Sequence, residues 1–167
     1  MMLTTSELIE KIRDAVANSQ EISAWCVSKY GKTPTVFVGI DIENPPAETD
    51  YPVIVIEGVA EAYGNSQSMI AWIASIGVGV YDKTISTAVV TVPGEDEEDD
   101  PIAISATRTY AGMLDVETFR EKVHAVLKAE RFAKITFDSK SETINAYPEF
   151  ISTVDATIEQ IYSRRRT

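Results

Sequence analysis

The sequence predicts an α+β domain: a mixed, mainly antiparallel sheet with two main helices packed on one face. Three observations predict it. Apolar residues recur at helical spacing in two places, over Leu8–Val16 and over Val116–Leu127. Period-two runs fill the chain between and after them, the longest being Met69–Tyr81. Strand-like segments outnumber helical ones, which favours helices on one side of an antiparallel sheet. At 167 residues the chain reads as a single domain, 1–167, with a mobile acidic loop expected at about 93–101. A chain of this length buries a core without disulfide or metal staples.

Each element has its own signal. Thr4 followed by Glu7 is a capping-box pattern, and Leu8, Ile12, Ala15 and Val16 then share one helical face. Glu7 and Lys11 are spaced for an i,i+4 pair, and Asn18 and Ser19 read as the stop. Ser23–Tyr30 reads as a short second helix or turn ended by Gly31. Val36, Val38 and Ile40 alternate with Thr35, Phe37 and Gly39, and Asn44-Pro45-Pro46 breaks that strand because proline has no ladder donor. Pro52–Glu57 is apolar on both faces, as a buried central strand would be.

Met69–Tyr81 alternates large and small. Ile70, Trp72, Ala74, Ile76, Val78 and Val80 fall on one face, while Ala71, Ser75, Gly77 and Gly79 fall on the other. The small face predicts close approach of another backbone or a helix. Thr84–Val92 and Ile102–Tyr110 read as two more strands, bracketing the acidic loop. Asp115 is the expected N-cap of a long helix through Arg131, with Val116, Phe119, Val123, Val126 and Leu127 as its stripe. Lys134–Ile144 reads as a strand with a turn near Ser139, and Phe150–Ile158 as a closing strand.

Charge narrows the function classes. The net charge is −11, and six of those charges form one run, Glu95-Asp96-Glu97-Glu98-Asp99-Asp100. The rest of the chain is only mildly acidic. Clustered Lys and Arg, which phosphate contacts require, occur only at Arg164-Arg165-Arg166. Specific nucleic-acid binding is therefore not expected. A single cysteine, Cys26, forms no internal disulfide, and the start of the chain lacks a signal-peptide pattern. The longest apolar stretch, Met69–Val80, is too short for a spanning helix. A soluble cytoplasmic protein is the expectation.

No catalytic, cofactor-binding or metal-binding residues are expected. His124 is the only histidine, so any Ser-His-Asp or Cys-His arrangement would have to use it, and it lies in a helix without an HExxH context. Zinc needs three or four His or Cys ligands, and the chain has one of each. Cys26 lies between Trp25 and Val27, the setting of a small buried hydrophobe. The acidic run lacks the spaced pattern of a calcium loop, and adjacent acids repel one another into a solvated segment. Gly77-Val78-Gly79 lacks the third glycine and following helix of a dinucleotide site, and Tyr63-Gly64-Asn65-Ser66 reads as a turn. The chain is read as a non-enzyme, although no spacing argument rules out a carboxylate pair among its acids.

Several segments together carry a family resemblance. Leu8, Ile9 and Ile12 stand in a short N-terminal helix. Tyr51-Pro52-Val53-Ile54-Val55-Ile56 is similar to the strand that follows a variable early loop in the tail terminator (tail-completion) proteins of tailed bacteriophages. Ile76–Tyr81 is similar to the apolar strand ahead of their crossover, Val116–Leu127 to the helix after their sheet, and Tyr147–Ile161 to their closing strand. The strand pair around the acidic loop is an addition to that pattern.

The resemblance implies a homohexameric ring with a central pore. Such a ring caps the tail tube, contacts the tail tube protein, and offers a face to the head connector or head-completion protein. It implies a place in the virion tail after assembly in the bacterial cytoplasm. It implies no cofactor, no membrane contact, and DNA passing through without specific binding. Under it, Glu95–Asp100 becomes a lumen-facing or partner-facing loop; read from its residues alone, Arg164–Arg166 is a frayed terminus or a contact for an acidic partner. Another phage neck or tail protein, a non-catalytic α+β binding module and a small enzyme are the competing readings.

Overall fold

A computed structural model describes residues 3–63, 69–92, 102–130, 132, 134–138 and 142–161. The acidic run Glu95–Asp100 and the basic cluster Arg164–Arg166 lie outside the described residues.

The first helix, α1 (Thr5–Ala17), starts where the capping box predicts. Thr4 Oγ1 accepts from the Glu7 amide at 3.2 Å, and the Glu7 carboxylate accepts from the Thr4 amide at 2.7 Å. Those bonds satisfy two of the amides a helix start leaves orphaned. Leu8, Ile12 and Val16 are fully buried, whereas Ala15 is only partly so. The second helix, α2 (Gln20–Tyr30), is longer than the sequence suggested. Ser19 does not merely stop α1; its Oγ accepts from the Ile22 amide at 3.2 Å and caps α2. Gly31 closes α2 at φ 74°, a conformation that favours glycine.

The main sheet runs β1 (Thr35–Val38), β2 (Val53–Tyr63), β3 (Met69–Tyr81), then β8 (Glu149–Ile161). Among the described residues, β1 against β2 is the one parallel pair; the others are antiparallel. The strand expected over Lys134–Ile144 is two strands, β6 (Lys134–Phe137) and β7 (Glu142–Ala146). They do not pair with each other as a hairpin would. Both lie along β8, β6 opposite 156–159 and β7 opposite 149–153. β4 (Ile85–Val92) and β5 (Ile102–Tyr110) form a separate two-stranded ribbon.

The third helix, α3 (Ala111–Ala129), corrects an expected boundary. It begins directly at the end of β5, four residues before Asp115. The Ala111 amide donates to the Thr84 carbonyl at 3.1 Å, so the ribbon's base fixes the helix start without a side-chain cap. Asp115 works elsewhere. Its carboxylate accepts from Lys29 Nζ at 3.0 Å and from the Tyr30 hydroxyl at 3.0 Å, tying α2 to α3.

All three helices lie on one face of the sheet. Their buried residues, including Leu8, Ile22, Phe119 and Val123, share one cluster with Trp72, Ile76, Phe150 and Val154 of the central strands. The expected pair of helices is thus a trio, with α2 a full member of the layer. The opposite face has a much smaller cluster, Tyr51, Val53 and Val55 with Phe37 and Tyr81 against it.

Candidate functional site

The single histidine and the single cysteine are both built into the packing of the helix layer. His124 lies between α3 and β6, its ring stacked on Phe137 with centroids 4.2 Å apart and planes 16° apart. Burial, helped by the Arg120 and Lys128 charges, pushes its pKa down to about 4. The imidazole is therefore neutral near pH 7 and serves as an aromatic surface. Arg120, one turn earlier, donates to the buried Ser152 hydroxyl at 3.2 Å and pairs with Glu117. Cys26 is fully buried, and burial pushes its thiol up to about 12, far from a reactive thiolate. Among the described residues, no group of three or more His, Cys, Asp or Glu is placed to hold a metal ion. Among the same residues, no helix is long and apolar enough to cross a membrane.

Two surfaces are less easily assigned to folding. The first is the β4–β5 ribbon, whose strands bracket the acidic run in the sequence. Every residue of β4 is exposed, and Val89 and Val90 are 53 % and 54 % exposed. At about 3.4 Å per residue, β4 extends roughly 27 Å. Among the described residues, its base is tied to the body of the protein. The Asp82 amide donates to the Pro148 carbonyl at 2.9 Å, and the Tyr110 ring meets Tyr147 edge-on at 5.5 Å.

The second surface is a groove of about 320 Å³ on the sheet face away from the helices. Its floor is Val53, Val55, Gly77 and Gly79, and the segment carrying Ile40, Pro45 and Pro46 forms one wall. That segment is ordered by its own turns: the Asn44 amide donates to the Asp41 carbonyl at 3.1 Å, and the Asp50 amide to the Ala47 carbonyl at 2.8 Å. Two carboxylates, Glu57 and Glu149, also line the groove. The Tyr51 phenol is pushed above its ordinary range by burial, then by the Glu149 and Asp50 charges.

The small face of β3 does receive a close neighbour, but not a helix. A Cβ at Gly79 would lie 2.9 Å from Tyr51 Cε1 and from Val53 Cγ2, and one at Gly77 would lie 3.1 Å from Glu57 Oε1. Side chains of β2 and its approach fill the space. The glycine pair was the sequence signal for this groove; the carboxylates beside it carried none, because pairing across strands placed them there.

A second depression, shallower and about 700 Å³, lies between α1 and the end of α3 and is lined by Glu7, Glu10, Asp14 and Glu130 among others. Glu7 is committed to the cap at Thr4, and Lys11 Nζ sits 4.5 Å from the centre of the Phe132 ring.

Compared with protein-family models and with curated protein sequences, the chain gives no match in either.

Proposed function

We propose that this chain is a virion assembly protein of a tailed phage or prophage, a tail terminator whose copies form a ring. The ring caps the tail tube and joins it to the head connector. In this reading the protein acts by surface complementarity, not by catalysis. The observation that carries the reading is the β4–β5 ribbon. Above its base the ribbon takes no visible part in the packed core: β4 is exposed at every residue over roughly 27 Å, and most of those residues are β-branched. An assembly subunit has a use for such a surface. The order of elements that resembles tail terminators supports the same reading, and the acidic run between the ribbon strands suits a pore through which DNA slides without adhering.

Negative-stain electron microscopy and light scattering on one concentrated sample test it. Closed rings with a central hole, of uniform mass, are expected. A monomer at every concentration that also fails to co-sediment with tail tubes overturns the reading. Replacing Glu95–Asp100 by Ser and Gly tests the run separately: unchanged tail length and infectivity would remove it from the mechanism.

The apolar groove favours a second reading, a non-catalytic binding module. A monomer that captures one peptide or protein through that groove is its expected behaviour.

A further inference from the structure

The groove on the sheet face away from the helices holds two negative charges at its two ends. Among the described residues, Glu57 and Glu149 line it and no lysine, arginine or histidine does. Neither carboxylate has a hydrogen-bond or ion-pair partner among those residues. Glu149 stands opposite Tyr81, whereas Glu57 Oε1 reaches over Gly77, 3.1 Å from where a Cβ there would sit. Four residues of β3 separate Gly77 from Tyr81. At about 3.4 Å per residue, the two carboxylates stand roughly 10–15 Å apart. The floor between them is Val53 and Val55, each 5 % exposed or less.

Tyr51 adds a third polar group. It lines the groove at 9 % exposure, and its ring lies across the floor at Gly79. Its hydroxyl has no hydrogen-bond partner among the described residues, although a polar side chain so deeply buried normally has one. The Glu149 charge, second to burial, raises the phenol pKa, so hydroxyl and carboxylate share one end of the trough.

We propose that the groove binds a free linear aliphatic polyamine, with one ammonium on Glu149 and the Tyr51 hydroxyl, the other on Glu57, and the methylenes between them on Val53 and Val55. The separation of the charges selects this class. A single cation, such as a lysine side chain of another protein, reaches one end only. A metal ion needs its carboxylates in one coordination sphere. A hydrocarbon tail offers nothing to the carboxylates. A methylene chain with an ammonium at each end meets both anions and covers the apolar floor. The ammoniums rest where Glu57 is exposed and Glu149 half-buried, so neither loses all of its hydration. At about 320 Å³ the groove is within the range of small-molecule sites. The proposal does not rest on the assembly reading: a monomer and a ring subunit carry the same groove.

The test is calorimetric titration of the full-length protein with spermidine, diaminooctane, octylamine and diaminobutane, with valine and isoleucine methyl NMR to locate each ligand. Spermidine and diaminooctane are expected to bind one site and to shift the Val53 and Val55 methyls. Octylamine lacks the second charge and diaminobutane cannot span the trough, so each should bind about tenfold more weakly or worse. Glu149→Gln should weaken diaminooctane about tenfold, and Glu57→Gln about threefold because Glu57 is exposed. Circular dichroism melts check that both variants fold; if either does not, the ligand series on the unchanged chain decides alone. A chain of net charge −11 attracts any polycation, so the titration is repeated with Glu95–Asp100 replaced by Ser and Gly, and binding should persist.

Absence of spermidine and diaminooctane binding overturns the proposal. So does equal affinity for octylamine and diaminooctane, which would make the groove a plain apolar cleft. Binding that vanishes with the acidic run and survives both Gln substitutions would assign the polyamine to that run instead. Groove methyls that shift with protein concentration and ignore the diamines would mean that a second copy covers the groove, again overturning the proposal.

Discussion

β3 and β4 are built from the same kinds of residue and end in opposite environments. On β3, Ile70, Trp72, Ala74, Ile76, Val78 and Val80 are all 5 % exposed or less. On β4, Ile85, Val89, Val90 and Val92 are between 38 % and 54 % exposed. β-branched residues suit both strands because both are pleated. Only β3 has helices over it. Strand formation and burial are thus separate decisions, the first local and the second made by whatever is stacked on the strand.

The sharpest way to break the comparison is to remove bulk from the covered strand. Trp72→Ala should destabilise by about 3–5 kcal/mol, because it deletes a fully enclosed side chain and leaves a cavity. Urea unfolding measures this, and a loss below about 1 kcal/mol would mean that the helix layer is not packed on β3 as described.

His124 probes the edge of the same layer through pH. Its pKa is held near 4 in the folded protein, against about 6.5 unfolded. The unfolded chain therefore binds the proton first. Stability is full above about pH 6.5, falls as pH drops below that value, and levels off for this group below about 4. His124→Gln should flatten that part of the stability curve. An unchanged acid slope between pH 6.5 and 5, in unfolding measured at several pH values, would show that the ring is not desolvated.

Gly112 sits at the start of α3, where an added Cβ would collide with the Phe150 ring and come within 3.1 Å of Asp82 Cβ. Phe150 is fully buried and has no free direction to move. Gly112→Ala should cost about 1–3 kcal/mol even though alanine favours helix. A rise in melting temperature would contradict this packing.

The smallest effect belongs to the ribbon. Val89→Thr and Val90→Thr should each change stability by less than about 0.5 kcal/mol, since both side chains are already in water and threonine keeps the strand preference. A loss approaching that of Trp72→Ala in the same unfolding assay would show that the ribbon is covered.

Much of this was legible beforehand because it is local. The Thr4–Glu7 box, the Gly31 stop and the full span of Met69–Tyr81 each follow from a pattern within one element. Asp115 misled because a good N-cap residue was read without its surroundings. The ribbon's closing bond at Thr84–Ala111 starts the helix earlier, and Lys29 and Tyr30, distant in sequence, take up the carboxylate. β6 and β7 misled for a similar reason. Lys134–Ile144 read as one strand with a turn near Ser139, and only pairing with β8, distant in sequence, shows two strands lying along different stretches of it. For the candidate surfaces, the exposed ribbon appeared in the sequence only as two strands, and the groove only as a glycine pair.

By itself the sequence determined the Thr4–Glu7 start of α1, the Gly31 end of α2, the span of β3 and which of its faces is heavy, and that histidine and cysteine are too few for a zinc site built from those ligands. Those follow from short-range periodicity, capping and counting. The tertiary structure decided that three helices share one face, that β4 and β5 stand off the sheet, and that Glu57 and Glu149 line one apolar trough. These depend on register between strands far apart in the chain, and a local pattern carries no record of which strand it will meet.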